Sequence, residues 1–124
     1  MAYGTLASDT LQSSTTGVPT QFQDGSGTQI GTLCRAWVNF PGSTGTRNAS
    51  FNVSSVTVNS TGNFTVTFTN AFSDTNYSVV TASSASGASV AGTFCAARAT
   101  TTCTIYTVGA AYYTQDYVSI AIFR

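Results

Sequence analysis

The chain has 124 residues, four Arg against four Asp, a net charge of zero and only 6% charged residues. That length holds one ordinary domain and a short appendage. Lys, Glu and His do not occur, which excludes a His-based triad, an imidazole metal site and a densely cationic surface for nucleic acid. The usual surface residues of helices are missing with them. Ser and Thr fill the polar positions beside many Val, Phe and Tyr, a mixture that suits pleated sheet. An all-β fold is expected.

Residues 1–32 are polar and turn-rich, with Tyr3, Leu6, Leu11 and Phe22 as isolated apolar anchors. They are too few to build a core, and Asp24-Gly25-Ser26-Gly27 marks a turn. Two readings are open. The segment is a flexible tail, or it is an extended arm that docks on a neighbouring subunit by laying Leu6, Leu11 and Phe22 into grooves. The spacing of those residues favours the arm. Met1-Ala2-Tyr3-Gly4 has neither the basic start nor the apolar run of a secretory leader, and no stretch has the length and apolarity to span a bilayer. No membrane partner is expected.

Strand signals recur from Leu33 onward, so residues 33–124 form the second unit. Arg35–Phe40 comes first, then the loop Pro41–Gly45 and a strand over Arg47–Val53. The organising stretch is Ser50–Thr69. Phe64, Val66 and Phe68 alternate with Thr65, Thr67 and Thr69, the period of a half-buried strand. Val56 and Val58 alternate with Thr57 upstream, and Asn59–Asn63 reads as a five-residue hairpin loop. Phe51 and Val53 sit at odd positions, Val56 and Val58 at even ones, so a bulge or bend is expected at Ser54-Ser55. Tyr77–Thr81, Val90–Arg98, Thr102–Val108 and Tyr117–Phe123 complete a set of about eight short strands. Their spacing predicts a single antiparallel β-sandwich, jelly-roll-like, with Trp37, Phe51, Val53, Phe64, Val66 and Phe68 in its core. In the last strand Val118, Ile120 and Ile122 line one face, while Tyr117, Ala121 and Phe123 make the other largely apolar. Such a strand belongs at the centre of a sheet or beneath an intersubunit contact.

Chemistry has little to stand on. Asp9, Asp24, Asp74 and Asp116 are the only carboxyl side chains, each in turn-like surroundings where Asp bonds its own backbone. No catalytic residue, metal site or cofactor is predicted. Cys34, Cys95 and Cys103 lack metal-ligand spacing and read as buried thiols, with a Cys95–Cys103 cross-strand bridge as the alternative. Five Asn-X-Ser/Thr triplets read as accidents of a Ser/Thr-rich chain. The loop Tyr112-Tyr113-Thr114-Gln115 is the candidate ligand site, because Tyr offers a flat face and a hydroxyl to sugars and protein epitopes, although core packing or subunit contact is the competing role.

Several segments in order carry a resemblance: Thr10–Ser14, Cys34–Phe40, Ala49–Val56, Thr61–Phe68 and Asp74–Tyr77. Over most of residues 10–80 the chain resembles a module of virion proteins from marine and cyanobacterial tailed phages, often labelled tail-fibre-like. Phe40-Pro41-Gly42 stands where the family more usually has an Asn-Gly turn, which argues against a long fibre shaft. The resemblance implies a non-enzymatic virion structural protein, assembled in the host cytoplasm as a homotrimer and displayed on the virion surface as a tail-fibre or receptor-binding appendage. Its arm would engage other virion proteins, and its β-domain a host glycan or protein. A capsid decoration, as a knob or head fibre, and a free carbohydrate-binding module are the alternatives.

Overall fold

A computed structural model describes residues 4, 8, 10–12, 14, 20–84, 92–108 and 114–124. The chain divides into two compact units, Met1–Leu33 and Cys34–Arg124.

In the first unit β1 (Gln21–Gln23) pairs antiparallel with β2 (Gln29–Thr32). Over residues 21–32 this segment is therefore a folded-back hairpin instead of an extended arm. Asp24 closes it. Its carboxylate accepts the backbone N–H of Ser26 and of Thr28, both at 2.9 Å, and the Ser26 hydroxyl at 2.6 Å. Gly27 takes φ +86° on the way back, a conformation that costs glycine nothing sterically. The strands are short and rich in Gln, which hides them from a periodicity reading.

The second unit is an all-β antiparallel sandwich. Its strands are β3 (Cys34–Phe40), β4 (Ala49–Phe51), β5 (Val53–Ser60), β6 (Asn63–Phe68), β7 (Ser78–Ser84), β8 (Gly92–Arg98), β9 (Thr102–Val108) and β10 (Tyr117–Phe123). They form two four-stranded sheets, ordered β4-β3-β10-β7 and β5-β6-β9-β8. Consecutive strands β3–β4, β5–β6 and β8–β9 pair within one sheet, and the remaining connections cross between sheets. Among the described residues there is no helix.

Period-two alternation fills the space between the sheets. Ala36, Val38 and Phe40 from β3 and Val118, Ile120 and Ile122 from β10 meet Phe64, Val66 and Phe68 from β6 and Cys103 and Ile105 from β9. Phe40 meets Phe64 edge-on, with ring centroids 5.2 Å apart. Each such large side chain contributes about 1.5–3 kcal/mol by leaving water. Phe68, Phe72 and Tyr77 form an aromatic cluster with centroids 4.8–6.0 Å apart. The Tyr77 hydroxyl lies 3.0 Å from the Ala99 carbonyl and 3.1 Å from that of Thr102, and so pins the β8–β9 turn. Strand β10 pairs with β3 on one side and β7 on the other, which places it at the centre of its sheet.

Two expectations are refined. The β5–β6 reversal takes two residues, Thr61 and Gly62 at φ +67°, instead of five. The register slips at Asn59, whose amide donates to Asn63 Oδ1 at 3.1 Å and Thr65 Oγ1 at 2.9 Å. The phase change upstream is a register slip between Val53 and Ser55, together with a change of sheet at Asn52. Asn52 has φ +54° and links the end of β4 to the start of β5. Its amide donates to the carbonyls of Arg35 at 3.1 Å and Asn70 at 3.2 Å, and its Oδ1 accepts the Asn70 N–H at 2.7 Å.

That corner corrects the predicted core. Val53, Phe64, Val66 and Phe68 are buried, but Phe51 and Trp37 are 55% and 38% exposed. Trp37 is out of phase with Ala36, Val38 and Phe40, so it points away from the core when they point in. Phe51 is its register partner across β3 and β4 and shares its outer face.

Candidate docking face

The outer face of the β4-β3-β10-β7 sheet carries one feature that its register alone creates. Phe51 stands opposite Trp37, Trp37 opposite Ala121, and Ala121 opposite Val80. These four residues make an apolar row across all four strands. Phe51 and Val80, at its two ends, are 55% and 59% exposed. The next row on the same face is Ala49, Asn39, Ser119 and Ala82. None of the eight residues is charged.

The polar members of that second row bond to one another. Asn39 Nδ2 donates to Ser119 Oγ at 2.8 Å, and Asn48 Nδ2 donates to Asn39 Oδ1 at 2.8 Å. Covering the row would therefore leave fewer groups in search of partners. An open groove of about 300 Å³ runs between Trp37, Val80 and Ala121, floored by small side chains. Tyr117, 51% exposed, extends the apolar surface along β10.

The other sheet presents a different outer surface. Thr57 faces Thr65, and Thr65 faces Thr104; Ser55 faces Thr67, and Thr67 faces Thr102. Hydroxyl pairs of this kind support a sheet in water. Phe94 is the large apolar residue here, and its ring packs edge-on against Tyr106 at 5.7 Å. The contrast between a threonine face and an uncharged aromatic face identifies the second as the candidate for docking.

Other predicted site residues fare differently. Tyr112 and Tyr113 lie outside the described residues, and Thr114 is exposed. Gln115 is 3% exposed, so it is a buried residue and not an external ligand contact. Its carbonyl accepts the Gly42 N–H at 3.0 Å, and its Nε2 has no hydrogen-bond partner. This approach is what fixes Gly42: a Cβ there would lie 2.6 Å from the Gln115 carbonyl oxygen. Of the docking residues, Leu6 lies outside the described set, while Leu11 and Phe22 are 55% and 42% exposed.

Asp24 and Asp74 serve turns. Asp74 Oδ1 accepts the Asn76 N–H at 2.7 Å, and Arg124 grips both oxygens, from Nε at 3.1 Å and Nη2 at 2.5 Å. The Arg124 hydrogen bonds hold the Asp74 carboxyl below its ordinary range. In Asp24 the Ser26 hydroxyl, then the Thr28 and Ser26 N–H groups, do the same. Asp9 lies outside the described residues, and Asp116 is exposed beside β10. Among the described residues no group of three or more His, Cys, Asp or Glu gathers to hold a metal, and no helix is long and apolar enough to cross a membrane.

The face thus rests on cross-strand register, which no single segment encodes. Ala121 belonged to the apolar outer side of the last strand and was legible as such; Val80 had no signal of its own. No protein-family model, curated protein or solved structure matches the chain.

Proposed function

We propose that this protein is a non-enzymatic structural module of a tailed-phage virion, assembled from copies of itself into a tail-fibre or receptor-binding appendage on the particle surface. The observation that carries the reading is the uncharged row Phe51–Trp37–Ala121–Val80, open to solvent across a whole sheet. Interface cores are depleted in charge and enriched in aromatic residues, and contiguous apolar patches on small soluble domains mark such contacts. A chain with almost no charge also gains solubility by covering this surface. The family resemblance of residues 10–80 supplies the virion setting and the expectation of three copies.

Sedimentation and native mass measurement of the full chain at micromolar concentration count the copies. A closed trimer supports the reading; a monomer at every concentration removes it. Labelled antibody on phage particles then separates tail from shell, and label on the shell favours a capsid knob. A monomer that binds a glycan array and never enters particles favours the carbohydrate-binding alternative.

A further inference from the structure

Cys95 and Cys103 both belong to the β8–β9 hairpin. Cys95 stands opposite Ile105 and Cys103 opposite Arg98, and the register slips between Cys95 and Ala97. In an unbroken antiparallel ladder two residues so placed are diagonal neighbours at about 7–8 Å. The extra residue, Ala96, bends β8 and gathers the pair. Their sulfurs lie 2.9 Å apart, inside ordinary non-bonded contact and about 0.9 Å beyond the bond length of a disulfide. Both are free thiols; Cys95 is partly exposed and Cys103 is fully buried.

The surroundings give a bond there a purpose. Among the described residues strand β8 is the edge of its sheet and has β9 as its one ladder partner. Side-chain bonds from Thr81 Oγ1 to the Thr93 carbonyl at 2.5 Å and from Thr93 Oγ1 to Ser83 Oγ at 2.6 Å tie it to β7. Edge strands are where a sheet opens first and where foreign strands add. The turn that joins β8 to β9 is held by the Ala99 N–H on the Thr102 carbonyl at 2.9 Å and by the Tyr77 hydroxyl. All of these contacts are non-covalent.

We propose that Cys95 and Cys103 form a reversible disulfide site that staples edge strand β8 to β9 when the protein meets a disulfide oxidant. With oxidised glutathione the Cys95 thiol loses its proton to solvent and the thiolate attacks one glutathione sulfur. A Cys95–glutathione disulfide forms, and one glutathione thiolate leaves and is protonated. Cys103 then loses its proton and attacks the Cys95 sulfur, which releases the second glutathione as a thiol. Two protein thiols are oxidised and one glutathione disulfide is reduced to two thiols. Burial pushes the Cys103 thiol up, which leaves the more exposed Cys95 as the first to react by way of solvent. The staple is a property of the single chain and holds whether or not the chain assembles on a particle.

The test uses the full chain, equilibrated with oxidised glutathione, denatured without reductant and treated with N-ethylmaleimide before intact mass measurement. Of the three cysteines only Cys34 is expected to stay outside the bond, carrying a single N-ethylmaleimide or glutathione adduct, against three N-ethylmaleimide adducts after prior treatment with dithiothreitol. Peptide mapping is expected to recover Cys95 joined to Cys103. Cys34→Ser is expected to give no adduct after oxidation, and Cys95→Ser to lose the bond. Oxidation is expected to raise the melting temperature by roughly 5–15 °C and to slow amide exchange in β8 at least tenfold. Three adducts at equilibrium, a stable glutathione adduct on Cys95, a bond to Cys34, or a bond that leaves β8 exchange unchanged would each overturn the proposal. The wild-type measurement stands without any variant having to fold.

Discussion

Phe51 and Val53 are two positions apart and face opposite ways, one 55% and the other 3% exposed. In a continuous strand they would share a face. Asn52 separates them, and at φ +54° it turns the chain from the outer side of one sheet into the core beneath the other. Three side-chain hydrogen bonds hold it there, to Arg35 on β3 and to Asn70 just past β6. Asn52→Ala removes the bonds and keeps a Cβ in the left-handed region, and is expected to cost about 2–4 kcal/mol. Asn52→Gly loses the bonds alone and is expected to cost about half as much. Urea denaturation ranks the two, and equal losses would mean that the backbone angle carries no strain.

Gly42 and Gln115 give a second pair of expectations with opposite signs. Any side chain at Gly42 meets the Gln115 backbone, not a flexible tip, so Gly42→Ala is expected to cost about 1–3 kcal/mol. Gln115 buries an amide nitrogen that bonds nothing. Gln115→Met keeps the volume and removes that unpaired donor, and is expected to leave stability unchanged or raise it by up to about 1 kcal/mol. Thermal denaturation of both variants reads the signs directly.

The alternation within each strand made the sandwich legible. Phe64, Val66 and Phe68 carried it without ambiguity, and Thr102–Val108 and Tyr117–Phe123 fall on the strands observed. Phase was legible in β3 and broke down at Asn52. Trp37 belongs to the outer face because Ala36, Val38 and Phe40 fix the inward positions of β3, whereas Phe51 shares parity with the buried Val53 and is turned outward only by the corner at Asn52. What stayed hidden is long-range: the change of sheet at Asn52, the approach of Gln115 to Gly42, and the register that lines Phe51 up with Val80. Each depends on which strands become neighbours, and local patterning does not carry that information.

Acid is expected to weaken the first hairpin. The Asp24 carboxyl is held below its ordinary value of 3.8 in the folded hairpin, chiefly by the Ser26 hydroxyl. A depressed folded pKa stabilises above the unfolded value, and that contribution is lost as pH falls through the folded one. The Asp24 side-chain carbon signal is therefore expected to titrate with a midpoint below 3.8, while the Ser26 and Thr28 amide signals move with it. Asp24→Asn is expected to abolish that amide titration. A midpoint at or above the ordinary value would contradict the turn geometry.

The outer face of the first sheet gives the most consequential expectation. Phe51 and Val80 lie at opposite ends of one apolar row and are both largely exposed in the single chain. A charge placed there costs little in the monomer, since surface substitutions away from special features stay within about 0.5 kcal/mol. In an interface the same charge is buried without a partner, which is strongly unfavourable. Phe51→Glu and Val80→Glu are therefore each expected to weaken self-association at least tenfold. The urea midpoint of the monomer is expected to stay nearly unchanged in Val80→Glu, which stands away from the Asn52 corner and the Phe51–Trp37 pair. Thr65→Glu, on the threonine face of the other sheet, is expected to leave association intact. Sedimentation equilibrium of the three variants beside wild type decides the matter. If Thr65→Glu dissociates the assembly and Val80→Glu does not, the contact lies on the other sheet and the row across β4, β3, β10 and β7 is not where copies of this chain meet.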